Sequence, residues 1–398
     1  MMIAAFEREP YLRELEVKVT AVAEDDAGPY AVLSDTVLYP EGGGQPADHG
    51  YLGAIQIVAV QRVDGEIRHY LQVAAATGPA TLTLDWERRF DHMQQHTAQH
   101  LITAIAADEL GWETTSFHLG ARSSDIELDV ESILDADLRT LEERAAAVIH
   151  EARAVTARRA APEELAGGAI RSRGLPAGHE GDVRLVEIAG IDCNTCGGTH
   201  VATTAEIGAI KLLGTERLRG GTRLHWVAGA RVRTLLAAHE TRAAALRAIF
   251  ETSDDEVLHV IDSKLARLQH AERRIKRLSA ALAEETARRL DSSAGIIVEA
   301  HFDGADAQFL QSLVRHMTAL GTSRACLLTA TSDSGSFFAL HRGADSELDL
   351  ETVGGQTANL FNGRGGGSAD LFQGKAGLLE RRPEAVSLLE DAIGGSSR

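Results

Sequence analysis

Two short segments, His96-Thr97-Ala98-Gln99-His100 and Cys196-Gly197-Gly198-Thr199-His200, constrain this chain more than any other feature. Together they offer three imidazoles and one thiolate, the donors zinc prefers, in the number its tetrahedral shell takes. Cys196 follows His96 by 100 residues, so the fold must close across that span for the halves to meet.

The first pair sits in a stretch from about 92 to 110 whose apolar residues Leu101 and Ile105 recur at helical spacing, with Gly111 just past its end. Four residues apart on a helix, His96 and His100 project from one face. The second pair is a C-x3-H with a Gly-Gly pivot, which suits a loop. A metalloprotease needs Glu beside the first His as general base, and Thr97 stands there. Four protein ligands leave two options: zinc is structural, or one position opens during turnover. Cys193-Asn194-Thr195-Cys196 is also a C-x2-C, which allows a second ligand set containing Cys193. A redox dithiol is disfavoured because histidine partners are at hand.

Composition narrows the class. A chain of 398 residues favours two or three domains. Three cysteines give no disulfide framework and point to a reducing cytoplasm. Neither a signal peptide nor a membrane span is evident. A net charge of −18 argues against a general nucleic-acid coat protein. The charge is uneven, however. Residues 205–250 hold eight basic and three acidic side chains, and 264–290 hold the same numbers. Such local basic surfaces permit a specific RNA partner.

The expected architecture is α+β. Residues 1–90 alternate in short strands separated by turns, reading as a small β-barrel with the glycine loop Gly42-Gly43-Gly44-Gln45 within it. Residues 91–229 read as a mixed α+β zinc-containing domain: a helix, a hairpin over 115–130, a helix over 135–153, a strand at 183–188, and closing strands at 207–213 and 222–227. Residues 230–292 read as a helical hairpin linker and dimer contact, split at 252–256, where Ser253 and Glu256 match a capping box. Residues 293–398 return to strands with helical patterns between and after them, finishing near the glycine run 363–367. No Gly-Lys-Ser/Thr follows that run, so a nucleotide P-loop is unsupported, although Arg364 and Lys375 can meet phosphate or carboxylate.

The chain resembles the alanyl-tRNA editing proteins of the AlaX group in their long form, and hence the editing region of alanyl-tRNA synthetases. The resemblance rests on Gly42-Gly43-Gly44-Gln45-Pro46 with Asp48 and Gly50, on His96-Thr97-Ala98-Gln99-His100-Leu101, on Ser116-Phe117-His118-Leu119-Gly120, and on Cys196-Gly197-Gly198-Thr199-His200. It implies that His96, His100, Cys196 and His200 hold zinc, and that the last hundred residues are a DHHA1-like α/β domain that contributes to tRNA binding or dimerisation. It also implies hydrolysis, in trans, of the ester joining serine or glycine to tRNA(Ala), with the glycine loop and Gln45 shaping discrimination. Rejecting alanine requires a contact to the serine hydroxyl. Thr97, Gln99 and Ser116 are candidate readers, and Gln99 and His118 are candidates to orient water. Two other readings stay open: a non-catalytic zinc-containing tRNA-binding protein, and a metal hydrolase of small esters or amides.

Overall fold

The computed structural model describes residues 3–167, 170–171 and 181–395. The chain divides into two compact units, Met1–Ala245 and Leu246–Arg398.

The first unit opens with the short helix α1 (Ala5–Arg8) and six strands: β1 (Glu14–Asp25), β2 (Gly28–Leu33), β3 (Gly50–Leu52), β4 (Ile55–Val63), β5 (Glu66–Leu71) and β6 (Gly78–Leu84). They close into the expected barrel in the order β1-β2-β5-β4-β3-β6. Alternation puts Val17 and Val19 inside. In β4 a register shift between Ile57 and Ala59 lets Ile57 and Val60, three apart, both face the core.

Helix α2 (Trp86–Leu110) follows, started by Asp85, whose carboxylate accepts from the Arg88 amide, and ended by Gly111 in the left-handed region. It is buried on every side from His92 to Ala106, the mark of a core helix rather than a surface one. Around it lie β7 (Thr114–His118), β8 (Ser124–Leu128), α3 (Asp135–His150), β9 (Val155–Ala160), β10 (Val183–Ile188), β11 (Asp192–Thr195), β12 (Ile210–Leu218) and β13 (Gly221–Ala228). These strands form two antiparallel sheets, β11-β10-β9 and β12-β13-β8-β7. The closing strand begins at Ile210 rather than 207. Thr204–Ile207 is a 3-10 turn, and Gly208 at φ +77° redirects the chain before the strand starts.

A buried ion pair fastens the barrel to α2. Arg89 and Asp48 are both fully buried, and the Arg89 Nε donates to Asp48 Oδ2 at 2.9 Å. Asp48 also accepts from the Tyr39 amide at 2.7 Å, and Arg89 reaches the Pro10 carbonyl at 2.9 Å. Removing either partner would strand a buried charge, at a cost of roughly 3–5 kcal/mol. The pair thereby holds the glycine loop, between Tyr39 and Asp48, over the helix that carries His96 and His100.

Helix α4 (Ala230–Phe250) precedes α5 (Val257–Asp291). The expected capping box does not form. Helix α5 starts at Val257, and its flanking residue Glu256 makes no side-chain cap. The break is set instead by Glu251 at φ +53° and by Asp254, which pairs with Arg247 at 2.8 Å.

The second unit continues with β14 (Ile297–Asp303), α6 (Ala307–Leu320), β15 (Ala325–Ser332), β16 (Gly335–His341), α7 (Leu350–Leu360), β17 (Arg364–Gly367), β18 (Leu371–Ala376) and α8 (Arg382–Gly395), with sheet order β14-β15-β16-β18-β17. Strands β14 and β15 are parallel and joined through α6. Strand β15 is buried on both faces: Cys326, Leu328 and Ala330 meet one core, Leu327 the other. Helix α7 ends just before the glycine run, which is itself an edge strand pairing with β18, and α8 follows it. Its missing side chains allow close approach: a Cβ on Gly365 would press into the Gln373 carbonyl oxygen.

Candidate metal centre

Helix α2 presents His96 and His100 from its buried interior, 1% and 4% exposed. The second half-site follows β11 in a loop. Arg184 on β10 clamps that loop by donating to the carbonyls of Cys196 (2.9 Å) and Gly198 (2.8 Å), and its own carbonyl accepts the Cys196 amide. The result brings one ligand atom each from His96, His100, Cys196 and His200 within 4.8 Å of one another. Cys196 Sγ lies 3.4 Å from His96 Nε2 and 3.2 Å from His200 Nε2.

Every imidazole in the group is anchored through its other nitrogen. His96 Nδ1 meets Gln45 Oε1 at 2.8 Å, His100 Nδ1 meets Asp192 Oδ2 at 3.0 Å, and His200 Nδ1 meets Thr97 Oγ1 at 3.1 Å. This leaves three Nε2 atoms converging beside one sulfur. Such outer hydrogen bonds fix the tautomer and orientation of metal-ligating histidines. Gln45 also ties the two halves together: its Oε1 accepts the Thr199 amide at 3.0 Å and its Nε2 donates to Thr199 Oγ1 at 2.9 Å.

Electrostatics agree with the geometry. Burial pushes the Cys196 thiol up, but the facing imidazoles of His96 and His200 and hydrogen bonds with His100 and His200 outweigh it and hold it well below its usual range. Burial pushes His200 down to about 3. For His100 burial acts downward too, yet bonds to Asp192 and Cys196 raise it to about 9. A thiolate beside imidazoles is the donor set zinc takes, with the His100 proton displaced on binding. The residues present therefore fit a zinc ion.

A cavity of about 620 Å³ reaches the group, lined among others by His96, His100, Cys196, Gly43, Gly44 and Phe117. The expected site residues distribute unevenly around it. Gln99 lines the cavity and donates to Thr103 Oγ1 at 2.9 Å. Thr97 is fully buried, does not line the cavity, and its hydroxyl bonds His200 Nδ1 and accepts the Val201 amide. His118 does not join the cavity; its side chain is 71% exposed and lies 3.5 Å from Asp125. Ser116 shares that outward face, because the β7 pleat turns the intervening Phe117 inward. Gly42 accepts the Tyr39 hydroxyl, while Gly43 and Gly44 form the wall. Gln45 is buried beneath it, 1% exposed. Arg364 and Lys375 lie in the second unit, opposite each other on β17 and β18.

Cys193 falls outside the four-residue group. Within β11, alternation puts Cys193 on the face opposite Asp192 and Asn194, away from His100, to which Asp192 bonds. Asp192 belongs to none of the motifs that mark the sequence. The only signal for it was its position four residues before Cys196, which puts both on the side of His100.

Comparison with known proteins follows the same lines. Residues 183–224 match the "Threonyl and Alanyl tRNA synthetase second additional domain" family. Alanyl-tRNA editing protein Aarsd1 of Danio rerio is 33% identical over 95% of this chain and 92% of its own length. The Mus musculus protein of the same name is 33% identical over 98% of both. Alanine--tRNA ligase of Ignicoccus hospitalis is 28% identical over 79% of this chain and 35% of its own length. The chain belongs to the alanyl-tRNA editing protein family.

Proposed function

We propose that this protein is a trans-acting deacylase that hydrolyses the ester of tRNA(Ala) mischarged with serine or glycine, with zinc held by His96, His100, Cys196 and His200. The observation that carries the reading is the convergence of these four donors, each imidazole already oriented, at the floor of a cavity walled by the glycine loop. When bound, zinc supplies a Lewis acid toward the ester carbonyl or an anchor for the substrate amino group. An aminoacyl ester is already activated, so positioning and delivery of water are the main demands on the protein. Of the candidate hydroxyl readers, only Gln99 both lines the cavity and keeps its carbonyl oxygen for an incoming hydroxyl. A site built to bond a hydroxyl rejects alanine because its own polar group is then left unpaired.

In this reading residues 1–90 and 91–229 carry the chemistry, 230–292 link, and 293–398 act as a DHHA1-like domain in which Arg364 and Lys375 meet tRNA phosphate. Helix α5 supports a homodimer. Leu258, Leu265, Leu268, Ile275 and Leu282 are more than half exposed and follow a heptad seam. A parallel pair would face Glu272 against its own copy. Antiparallel pairing avoids that. Among the described residues no helix is long and apolar enough to cross a membrane.

The test is deacylation by the zinc-loaded protein of Ser-tRNA(Ala), Gly-tRNA(Ala) and Ala-tRNA(Ala). The first two should be hydrolysed and the last spared. Cys196→Ala should reduce the rate by about a hundredfold or more while tRNA binding persists. Binding without any deacylation would instead identify a non-catalytic tRNA-binding protein.

A further inference from the structure

We propose that Asp192, held by Arg171, is a positioning residue that sets the metal affinity of the centre through His100. The inference rests on the metal reading given above. Three groups anchor the three imidazoles, and they differ in kind: an amide carbonyl on His96, a hydroxyl on His200, and a carboxylate on His100. Only the last carries charge. A carboxylate that accepts the Nδ1 proton fixes Nε2 as the free donor and makes it more basic than a neutral acceptor does.

The carboxylate is built for this purpose at some cost. Its side chain is 1% exposed, and a buried charge loses its hydration unless partners replace it. Both oxygens are engaged: Oδ2 with His100 Nδ1 at 3.0 Å, Oδ1 with Arg171 Nη1 at 3.2 Å. Arg171 is itself held by backbone bonds to β11, its amide to the Cys193 carbonyl and its carbonyl to the Thr195 amide. Its guanidinium also pairs with Asp108 near the end of α2. Strand β11 and the loop it leads into thus deliver two things at a spacing of four residues, the carboxylate that orients the opposite histidine and the thiolate ligand. Arg171 cross-links that strand to the helix carrying His100.

The experiment is zinc affinity of the full-length protein by competition with a chromophoric chelator, in wild type, Asp192→Ala and Asp192→Asn. Cobalt substitution reports the ligand field, and melting of the zinc-free proteins reports the fold. Asp192→Ala should weaken zinc binding by about 10–100-fold and shift the cobalt bands. Asp192→Asn keeps an acceptor without the charge and should fall between, so it tests the idea if the alanine variant folds poorly. Zinc-free melting of the asparagine variant should stay near wild type, which a merely structural carboxylate would not allow. Wild-type affinity and unchanged cobalt bands in both variants would overturn the proposal. A wild-type protein that binds no zinc would overturn the metal reading itself, whereas a large Asp192 effect without deacylation would overturn the catalytic reading alone.

Discussion

The two halves of the candidate centre are built by opposite means. His96 and His100 stand on α2, a helix buried from His92 to Ala106, where backbone hydrogen bonds set their spacing and their shared face. Cys196 and His200 stand on a loop whose shape is imposed from outside. Arg184 holds two of its carbonyls, Gln45 holds the Thr199 amide, and Thr97 holds the Val201 amide. The helical half needs no help to be a pair, and the loop half is a pair only in the company of three other elements. Its robustness therefore depends on contacts that can be removed one at a time.

The adjacent glycines of the loop give the sharpest test of that contrast. A Cβ on Gly198 would press into the His96 ring and reach Gln45 Oε1 at 2.7 Å, and neither can swing aside because they bond each other. A Cβ on Gly197 would meet nothing within 4 Å. Gly198→Ala should destabilise the protein by about 1–3 kcal/mol, as overpacking does, and abolish measurable zinc binding. Gly197→Ala should leave both unchanged. Chelator competition and thermal melting read the pair side by side. Equal behaviour of the two variants would mean that the loop adapts freely and that the contrast with the helix is unfounded.

The same contrast explains what could be read in advance. Spacing within one helix or one strand is local, so the barrel, α2 with its paired histidines, and strands β14, β15 and β16 of the second unit were legible. The partners that cross between elements were not. Nothing near Gln45 in the chain announces that its amide meets both His96 and Thr199, since those bonds span 51 and 154 positions. His118 stood in a suggestive motif, yet one residue of strand pleat turned it to solvent and gave the wall to Phe117. Ser253 and Glu256 had the letters of a capping box, but Asp254 was already engaged by Arg247 and the helix began later. The glycines of β17 gave no strand signal, because β propensity rests on side chains while this strand is specified by close backbone approach.

Next in size are the neutral anchors. Gln45→Leu removes the oxygen that serves both His96 Nδ1 and the Thr199 amide, leaving two buried donors unpaired at roughly 1–3 kcal/mol each. Thr97→Val similarly removes the acceptor of His200 and of the Val201 amide, but both lie within the helix-to-loop contact itself. Gln45→Leu additionally severs the barrel from the loop. We expect it to weaken zinc binding about tenfold or more, and Thr97→Val to do less. A larger effect at Thr97 would place the weak point of the loop at the helix instead of the barrel. Zinc titration of the two variants decides between them.

The smallest expected effect lies on the helical half and concerns acid. His92 begins the buried stretch of α2, is 4% exposed, and has an Nδ1 with no hydrogen-bond partner. Burial and then the neighbouring Arg88 push it down to about 4 from its usual 6.5. Above pH 6.5 the folded and unfolded chains both keep it neutral, and its contribution to stability is fully present. As pH falls from 6.5 toward 4, the unfolded chain takes up a proton that the folded chain refuses, so stability is lost through that window. The loss over that window is at most about 3.4 kcal/mol for a fall from 6.5 to about 4. His69 in the barrel is pushed down to about 4 by burial and adds a loss of the same sign, so the informative quantity is a difference between proteins. Urea unfolding of zinc-free wild type and His92→Gln, followed from pH 7 to pH 4, should show the variant losing less stability than wild type over that range. Parallel curves would mean that the start of α2 opens to water in acid. The buried helical half would then yield to water in acid at its first turns, and its rigidity would not extend to His92.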